Sequence, residues 1–445
     1  MSEQKQTTSP SERHVVIVGA GMAGVQTAVA LREQGFTGPV TLIGAEPHQP
    51  YDRPPLSKAV LLGKAEDSAF DIDFETLRIT LRLGLDVTGL RPADHELDTE
   101  AGPVPYDTLV VATGAHPLTL PGTEGVPGVH LLRTLDDAAR LGTVLQRRDD
   151  IVVVGAGWIG AEFATAARAA GCAVTVVEAA DRPLAGALPA EVTAPMSAWY
   201  AESGAELRLN ARVAGVEEGR VVLAEGAAHS GERVELPAGA VVVGIGARPT
   251  TDWLAGSGIA LDPSGAVTAD ARLRTSLPDV YAVGDCASFP SARYGERLLV
   301  HHWDNALQGP RTVAADILAG SAGSAGSAGS AGSAGSAGSA VAAVAAVDLD
   351  ETAPYDPVPY FWSEQFGRFV QYAGHHGAAD TLLWRGDPAD ASWTVLWLQD
   401  DTPVALLAVS RPRDLAQGRR LIEHRTPVDP AKAADPSVPL KAAVR

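Results

Sequence analysis

A chain of 445 residues has room for about three domains and a large buried core. Hydrophobic residues at 46% against 20% charged exclude wholesale disorder, collagen and coiled coil. Thirty-five Lys and Arg against 54 Asp and Glu give a net charge of −19, a field that repels nucleic acid and anionic membrane surfaces. Met1 to Arg13 is polar, with no apolar stretch able to act as a signal peptide, and no run approaches the ~20 apolar residues of a membrane span. The expectation is a soluble cytoplasmic protein that binds neither nucleic acid nor membrane. Cys172 and Cys286 form no CxxC, so no disulfide framework or dithiol relay is expected.

From His14 the chain reads as a β-branched strand (Val15 to Val18), a Gly-rich turn, an Ala-rich helix to Glu33 and a second strand (Val40 to Ile43). That is a βαβ unit. The pattern returns from Ile151 to Glu178: a strand to Val154, GAGWIG, a helix through Ala170, and a strand from Ala173 to Val177. Between the two lies TLVVATG (Thr108 to Gly114), and after them Ala240 to Gly246 and DVYAVGD (Asp279 to Asp285), buried-strand patterns ending in small residues. Residues 319 to 340 are a pure Ala-Gly-Ser repeat, read as a flexible linker spanning about 25 Å. Beyond it, a Trp-rich stretch (Trp362, Trp384, Trp393, Trp397) with strands such as TVLWLQ marks a separate β-rich domain. The Pro- and Ala-rich tail from Pro427 is expected to wrap the surface or to be mobile.

The chemistry lies in the glycine turns. In GAGMAG, Gly19 permits the sharp strand-to-helix turn, Gly21 lets a pyrophosphate approach the backbone, and Gly24 lets helix and strand pack closely. The helix N-terminus then offers free N–H groups and partial positive charge to phosphates. Glu46, ending the second strand, is placed for an adenosine ribose, with a solvated loop acid as the plainer alternative. Gly155, Gly157 and Gly160 repeat the geometry, and Glu178 is placed to bind ribose hydroxyls and repel a 2′-phosphate, which favours NADH over NADPH, although Arg182 lies nearby. Two dinucleotide sites imply a pair able to pass a hydride: a flavin held permanently and a nicotinamide that comes and goes. Asp285 is a candidate for a ribityl hydroxyl, or else a turn-capping Asp. The expected fold is α/β: two Rossmann-like dinucleotide-binding domains, the second nested within the first, plus a C-terminal α+β domain.

GAGMAG, YDRPPLSK (Tyr51 to Lys58), LLRTLDDA (Leu131 to Ala138), GAGWIGAE, GIGARPT, YAVGDCA, HHWDNALQG and PYFWSEQFG, in that order, resemble the putidaredoxin reductase-like family. These are FAD- and NADH-dependent ferredoxin reductases coupled to oxygenases. The resemblance implies tightly bound FAD, NADH as hydride donor, a [2Fe–2S] ferredoxin as partner, and behind it a haem monooxygenase or Rieske oxygenase. It implies one discontinuous FAD-binding domain made of 12–118 and 247–318, an NAD-binding domain at 119–246, a linker at 319–350, a C-terminal reductase domain at 351–426 and a tail at 427–445. It also implies that Ala23, Glu46, Lys58, Val87, Arg133, Asp285 and Trp303 contact FAD, with Arg53 as a neighbour. Ala112, Gly114, Ile159 and Gly246, from the same motifs, are further candidate cofactor contacts.

The resemblance puts Lys58 near the flavin N5, paired with Glu162. A cation there favours the electron-rich reduced flavin, and a carboxylate holds the lysine in place. The alternative is a solvated Lys58 with Glu162 complementing its helix N-terminus. Trp362 is implied over the flavin region near the docking face, or else in the core between Phe361 and Phe366. Hydride transfer needs positioning and shielding from water rather than an acid-base residue, so "catalytic" for Lys58, Glu162 and Trp362 means positioning. Arg411, Arg413, Arg419, Arg420 and Arg425 form a candidate docking face for an acidic ferredoxin, or a solvated face. Disulfide reductases of the same layout need a cysteine pair that this chain lacks, and Cys286 reads as a packing residue. His301-His302 and His375-His376 lack ligand spacing, so no metal is assigned. Alternative functions are a redox sensor of apoptosis-inducing-factor type, or an NADH diaphorase serving rubredoxin or nitrite reductase.

Overall fold

Each βαβ signature builds a parallel five-stranded sheet. The computed structural model describes residues 13–224, 234–322 and 353–445, so most of the expected linker lies outside the described residues. The chain divides into two compact units: Met1–Asp52, Ala69–Ala115 and Pro249–Pro357 make one; Arg53–Ser68, His116–Arg248 and Val358–Arg445 make the other.

In the first unit Val15–Val18 lies between Val40–Gly44 and Thr108–Val111, and the sheet continues to Ile79–Leu83 on one side and Val280–Ala282 on the other. All neighbours are parallel. Every residue of Val15–Val18 and of Thr108–Val111 is buried, because a parallel strand is covered on both faces and carries no polar alternation. The helices Met22–Glu33 and Trp303–Ala322 pack on each other. On the second of them the buried Asp316 accepts two bonds from Arg274, at 2.5 and 2.7 Å, and one from the Tyr281 hydroxyl at 2.9 Å. This charge-assisted fork fastens the edge strand to the helix.

After the Ala-Gly-Ser stretch, Tyr355 and Asp356 bond to this first unit. Tyr355 N donates to Ala271 O at 2.7 Å, its hydroxyl donates to Asn305 Oδ1 at 2.8 Å, and Asp356 accepts from Arg293 N at 2.8 Å. Both flanks of the stretch therefore belong to one unit.

In the second unit the parallel sheet runs in the order Glu206–Arg208, Val174–Val177, Ile151–Val154, Ala240–Val243, Val129–His130. The helix Leu135–Arg147 starts with a capping box: Asp137 N donates to Thr134 Oγ1 at 3.1 Å and Thr134 N donates to Asp137 Oδ2 at 2.9 Å. The C-terminal sheet is antiparallel, with strands Tyr360–Gln365, Arg368–Gly374, Thr402–Val409, Trp393–Gln399 and Thr381–Arg385 in that spatial order.

Both faces of this sheet are covered. Val395 and Trp397 pack with Leu188, Met196 and Trp199, while Leu396 and Leu398 pack with Leu415, Leu421 and Ile422 of the helix Pro412–Glu423. That double burial explains the near-continuous apolar run TVLWL. The segment after Pro427, expected to wrap the surface or to be mobile, instead contributes Val428, Ala433, Leu440 and Ala443 to the same core. Alternation of small apolar residues with Pro hid this, because no single periodicity covers the short helix Pro430–Ala434 and the turn at Leu440–Ala442.

Candidate functional site

In the first unit the GAGMAG turn sits where the order of the parallel sheet reverses, between Val15–Val18 and Thr108–Val111. Gly19 has φ +112°, and a Cβ there would fall 2.2 Å from Ala112 O. A Cβ on Gly24 would fall 1.8 Å from Gly19 O. The outer glycines thus let the turn and helix close on the strand ends. Gly21 differs: a Cβ there would meet nothing within 4 Å, and its side opens at the N-terminus of Met22–Glu33. An open middle glycine at a helix N-terminus is what a diphosphate needs, so the turn fits a dinucleotide.

The same end of this sheet carries the other first-unit candidates. Ala23 packs against Gly284 of the turn Gly284–Cys286, which carries Asp285; a Cβ on Gly284 would lie 2.9 Å from that of Ala23. Trp303 begins its helix, and its indole N–H donates to Asp52 Oδ1 at 2.7 Å. Glu46 follows Val40–Gly44 and accepts from the Tyr51 hydroxyl at 2.6 Å. Ala112 and Gly114 follow Thr108–Val111, and Gly114 O accepts from Thr250 N at 2.9 Å. Val87 is half-buried and packs against the cluster that includes Val16, Val18 and Val111. Cys286 is wholly buried, its Sγ 3.4 Å from Val111 O and from Val283 O, and burial pushes its thiol pKa up, which suits packing and not nucleophilic attack.

In the second unit GAGWIG repeats the arrangement. A Cβ on Gly155 would lie 2.4 Å from Gly244 O and one on Gly160 2.0 Å from Gly155 O, whereas one on Gly157 would find its nearest neighbour, Gly244 O, at 3.9 Å. Three apolar side chains near this turn stay exposed: Leu118 at 39%, Ile159 at 43% and Ile245 at 40%. Leu118 N donates to Gly246 O at 2.9 Å, tying that wall to the end of Ala240–Val243. Exposed apolar walls beside an open glycine turn fit a second dinucleotide. Glu178 closes Val174–Val177; its Oε2 accepts from Ala156 N at 2.8 Å and its Oε1 from Ala180 N at 2.8 Å. Each oxygen keeps lone-pair capacity for a ribose hydroxyl.

Lys58, Glu162, Arg53, Arg133 and Trp362 also lie in this unit. Lys58 follows the short helix Pro54–Ser57, and its Nζ is 2.6 Å from Oε2 of Glu162, which is 6% exposed. Arg53 Nη1 donates to Arg133 O at 2.6 Å. Trp362 is half-exposed and stacks on Tyr360, with ring centroids 5.9 Å apart. Sequence reasoning missed the hydroxyls around Glu162: Ser57 Oγ donates to Oε2 at 2.6 Å and Ser363 Oγ to Oε1 at 2.8 Å. Both serines stand inside quoted motifs, PPLSK and FWSEQ, but nothing local links positions so far apart in the chain.

The pyridine nucleotide-disulphide oxidoreductase family matches residues 13–309, and the reductase C-terminal family matches residues 360–444. The chain is 34% identical to the rhodocoxin reductase of Rhodococcus erythropolis, over 97% of this chain and 94% of that protein. It is also 34% identical to the ferredoxin–NAD(+) reductase component of the p-cumate 2,3-dioxygenase system of Pseudomonas putida, over 96% and 97%. Its fold superposes on the reductase in a covalent putidaredoxin reductase–putidaredoxin complex with TM-score 0.84 at 31% identity, covering 97% of this chain and 98% of that one.

Proposed function

The chain belongs to the pyridine nucleotide-disulphide oxidoreductase family, among the ferredoxin reductase components of oxygenase systems, and from that premise we propose how its residues serve that reaction. It is an NADH-dependent ferredoxin reductase with FAD as cofactor and a ferredoxin as electron acceptor. The observation that carries this is the pair of glycine turns, each closed by its outer glycines and open at the middle one.

FAD, when bound, takes two electrons as a hydride and returns them singly. Gly21 and the N-terminus of Met22–Glu33 bind its diphosphate; Glu46, Asp285 and Trp303 orient the rest. Gly157 and Glu178 hold NADH, while Leu118, Ile159 and Ile245 exclude water from it. Lys58 keeps a positive charge at the flavin N5, and Glu162 holds Nζ in place. On the C-terminal domain Arg413, Arg420 and Arg425 are exposed, whereas Arg411 is half-buried and Arg419 is half-buried and pairs with Glu423 at 3.0 Å. The three exposed arginines are the part of the expected cluster that we assign to contact with an acidic ferredoxin, and they offset locally a net charge of −19. A cytoplasmic location belongs to the same proposal, supported by two unpaired thiols. Among the described residues, no helix is long and apolar enough to cross a membrane.

Anaerobic stopped-flow tests the assignment. Mixing with NADH is expected to bleach the flavin band at about 450 nm rapidly, and adding a [2Fe–2S] ferredoxin to restore it as the ferredoxin is reduced. A flavin that bleaches and stays reduced would exclude ferredoxin as the acceptor. Glu178→Ala is expected to raise the KM for NADH about tenfold, the scale of lost hydrogen bonds to a charged group, and to narrow discrimination against NADPH. Steady-state kinetics with both nucleotides checks this; an unchanged preference would leave Glu178 bracing the glycine turn alone.

A further inference from the structure

The carboxylate that holds Lys58 is itself held from the C-terminal sheet. Glu162 and Thr165 occupy one face of the helix Trp158–Ala169, and that face is stitched twice to the strand Tyr360–Gln365 and its end: Ser363 Oγ donates to Glu162 Oε1 at 2.8 Å, and Phe366 N donates to Thr165 Oγ1 at 2.9 Å. Behind Ser363, Gln365 Nε2 donates to its oxygen at 3.1 Å. An amide nitrogen only donates, so the serine oxygen accepts from Gln365 and its single proton points to Glu162. On the other side, Oε2 accepts from Lys58 Nζ and from Ser57 Oγ, each at 2.6 Å. Ser57, Glu162, Ser363 and Gln365 are all buried. The result is a directed chain, Gln365 to Ser363 to Glu162, ending on the ammonium of Lys58, which is 23% exposed.

We propose that Ser363, aimed by Gln365, is a positioning residue for Lys58: it fixes the plane of the Glu162 carboxylate and so couples the C-terminal sheet to the charge presented to the flavin. The proposal rests on the assignment of Lys58 to the flavin N5. Two bonds to different oxygens define a carboxylate plane; removing the Ser363 bond leaves Glu162 fixed through Oε2 alone and free to turn, and Lys58, whose other bonds to Ser57 Oγ at 3.2 Å and Pro54 O at 3.4 Å are longer, shifts with its 2.6 Å partner. Thr165 and Phe366 keep helix and strand together without Ser363, so the coupling is separable from the packing. Trp362 and Glu364, the immediate neighbours of Ser363, are half-exposed and exposed, so an acceptor protein touching this strand lies one residue from the relay.

The test compares Ser363→Ala, Ser363→Thr and Lys58→Ala holoenzymes by two readouts. One is the flavin midpoint potential, from equilibration with a reference dye. The other, read in the wild type and the two Ser363 variants, is acetylation of Lys58 by acetic anhydride, quantified by peptide mass spectrometry. In Ser363→Ala the ratio of reduced to oxidised flavin at a fixed potential is expected to fall about tenfold, a shift of about 30 mV to the negative for two electrons, and Lys58 labelling to rise several-fold. The Ser363→Thr variant, which keeps the hydroxyl, is expected to show wild-type values of both. Wild-type potential and labelling in Ser363→Ala, alongside a shifted potential in Lys58→Ala, would overturn the proposal while leaving Lys58 at the flavin. A wild-type potential in Lys58→Ala would overturn the assignment of Lys58 itself, and the coupling with it.

Discussion

Gly157→Val is expected to give a protein that folds, keeps its FAD and no longer oxidises NADH at a measurable rate. The three glycines of GAGWIG are alike in sequence but differ in surroundings. A side chain on Gly155 or Gly160 would strike backbone oxygen at 2.4 or 2.0 Å, and no rotamer relieves a Cβ clash. On Gly157 the nearest atom lies at 3.9 Å and the backbone is extended, with φ −76° and ψ −171°, which valine tolerates. Replacing glycine by valine at this N-cap costs the fold about 1 kcal/mol. The cost to NADH is far larger, because the isopropyl group takes the space through which a diphosphate reaches the helix N-terminus. Gly21→Val, where a Cβ meets nothing within 4 Å, is the counterpart: a folded protein purified without flavin colour. Flavin absorbance, circular dichroism and an anaerobic NADH titration measure the three properties. Normal NADH affinity in a folded Gly157→Val protein would show that the middle glycine does not face the dinucleotide.

What was legible in the chain depended on how local the cause was. Val15–Val18, Ile151–Val154 and Ala240–Val243 were readable because burial on both faces forces unbroken β-branched runs, and the first two are followed by glycines, Gly19 and Gly155, whose positive φ the turn requires. The nesting of one nucleotide domain in the other was readable from motif order alone. Ser57 and Ser363 were not readable as a pair: a serine beside a lysine or a tryptophan has many uses, and only the fold brings both hydroxyls to Glu162. Tyr355 shows the same limit from another side. It falls within the C-terminal domain expected at 351–426, yet its backbone and hydroxyl are spent on Ala271 and Asn305 of the first unit, and burial holds its phenol well above the usual range. Arg53–Ser68 was assigned with the first glycine turn by continuity, but its residues group with the second unit, where Arg53 reaches Arg133 O and Lys58 reaches Glu162.

Arg385→Ala is expected to cost the folded protein about 3–5 kcal/mol, the scale for breaking a buried ion pair from one side. The side chain is 2% exposed, at the end of the strand Thr381–Arg385. Its Nε donates to Asp414 Oδ2 at 2.9 Å, near the start of the helix Pro412–Glu423. Its Nη1 donates to Ala433 O at 3.2 Å and to Asp435 O, and its Nη2 donates to Val438 O at 2.7 Å and reaches Pro436 O at 3.5 Å. One planar fork thus gathers a carboxylate and four carbonyls, which is how a Pro- and Ala-rich tail with little periodicity is held in the core. Lysine has no such fork, so Arg385→Lys is expected to lose most of the same stability. Removing the guanidinium leaves Asp414 with Thr394 Oγ1 at 3.1 Å and no cation, and the carbonyls of 433–438 without those donors. The double replacement Arg385→Met with Asp414→Leu removes the buried charge as well, and is expected to be less harmful than Arg385→Ala alone. Thermal unfolding followed by circular dichroism is expected to show a midpoint lower by about 10 °C for Arg385→Ala, with proteolysis beginning after Pro427. A midpoint within about 2 °C of the wild type would mean that Leu440, Val428 and Ala433 hold the tail by apolar packing, with the arginine incidental.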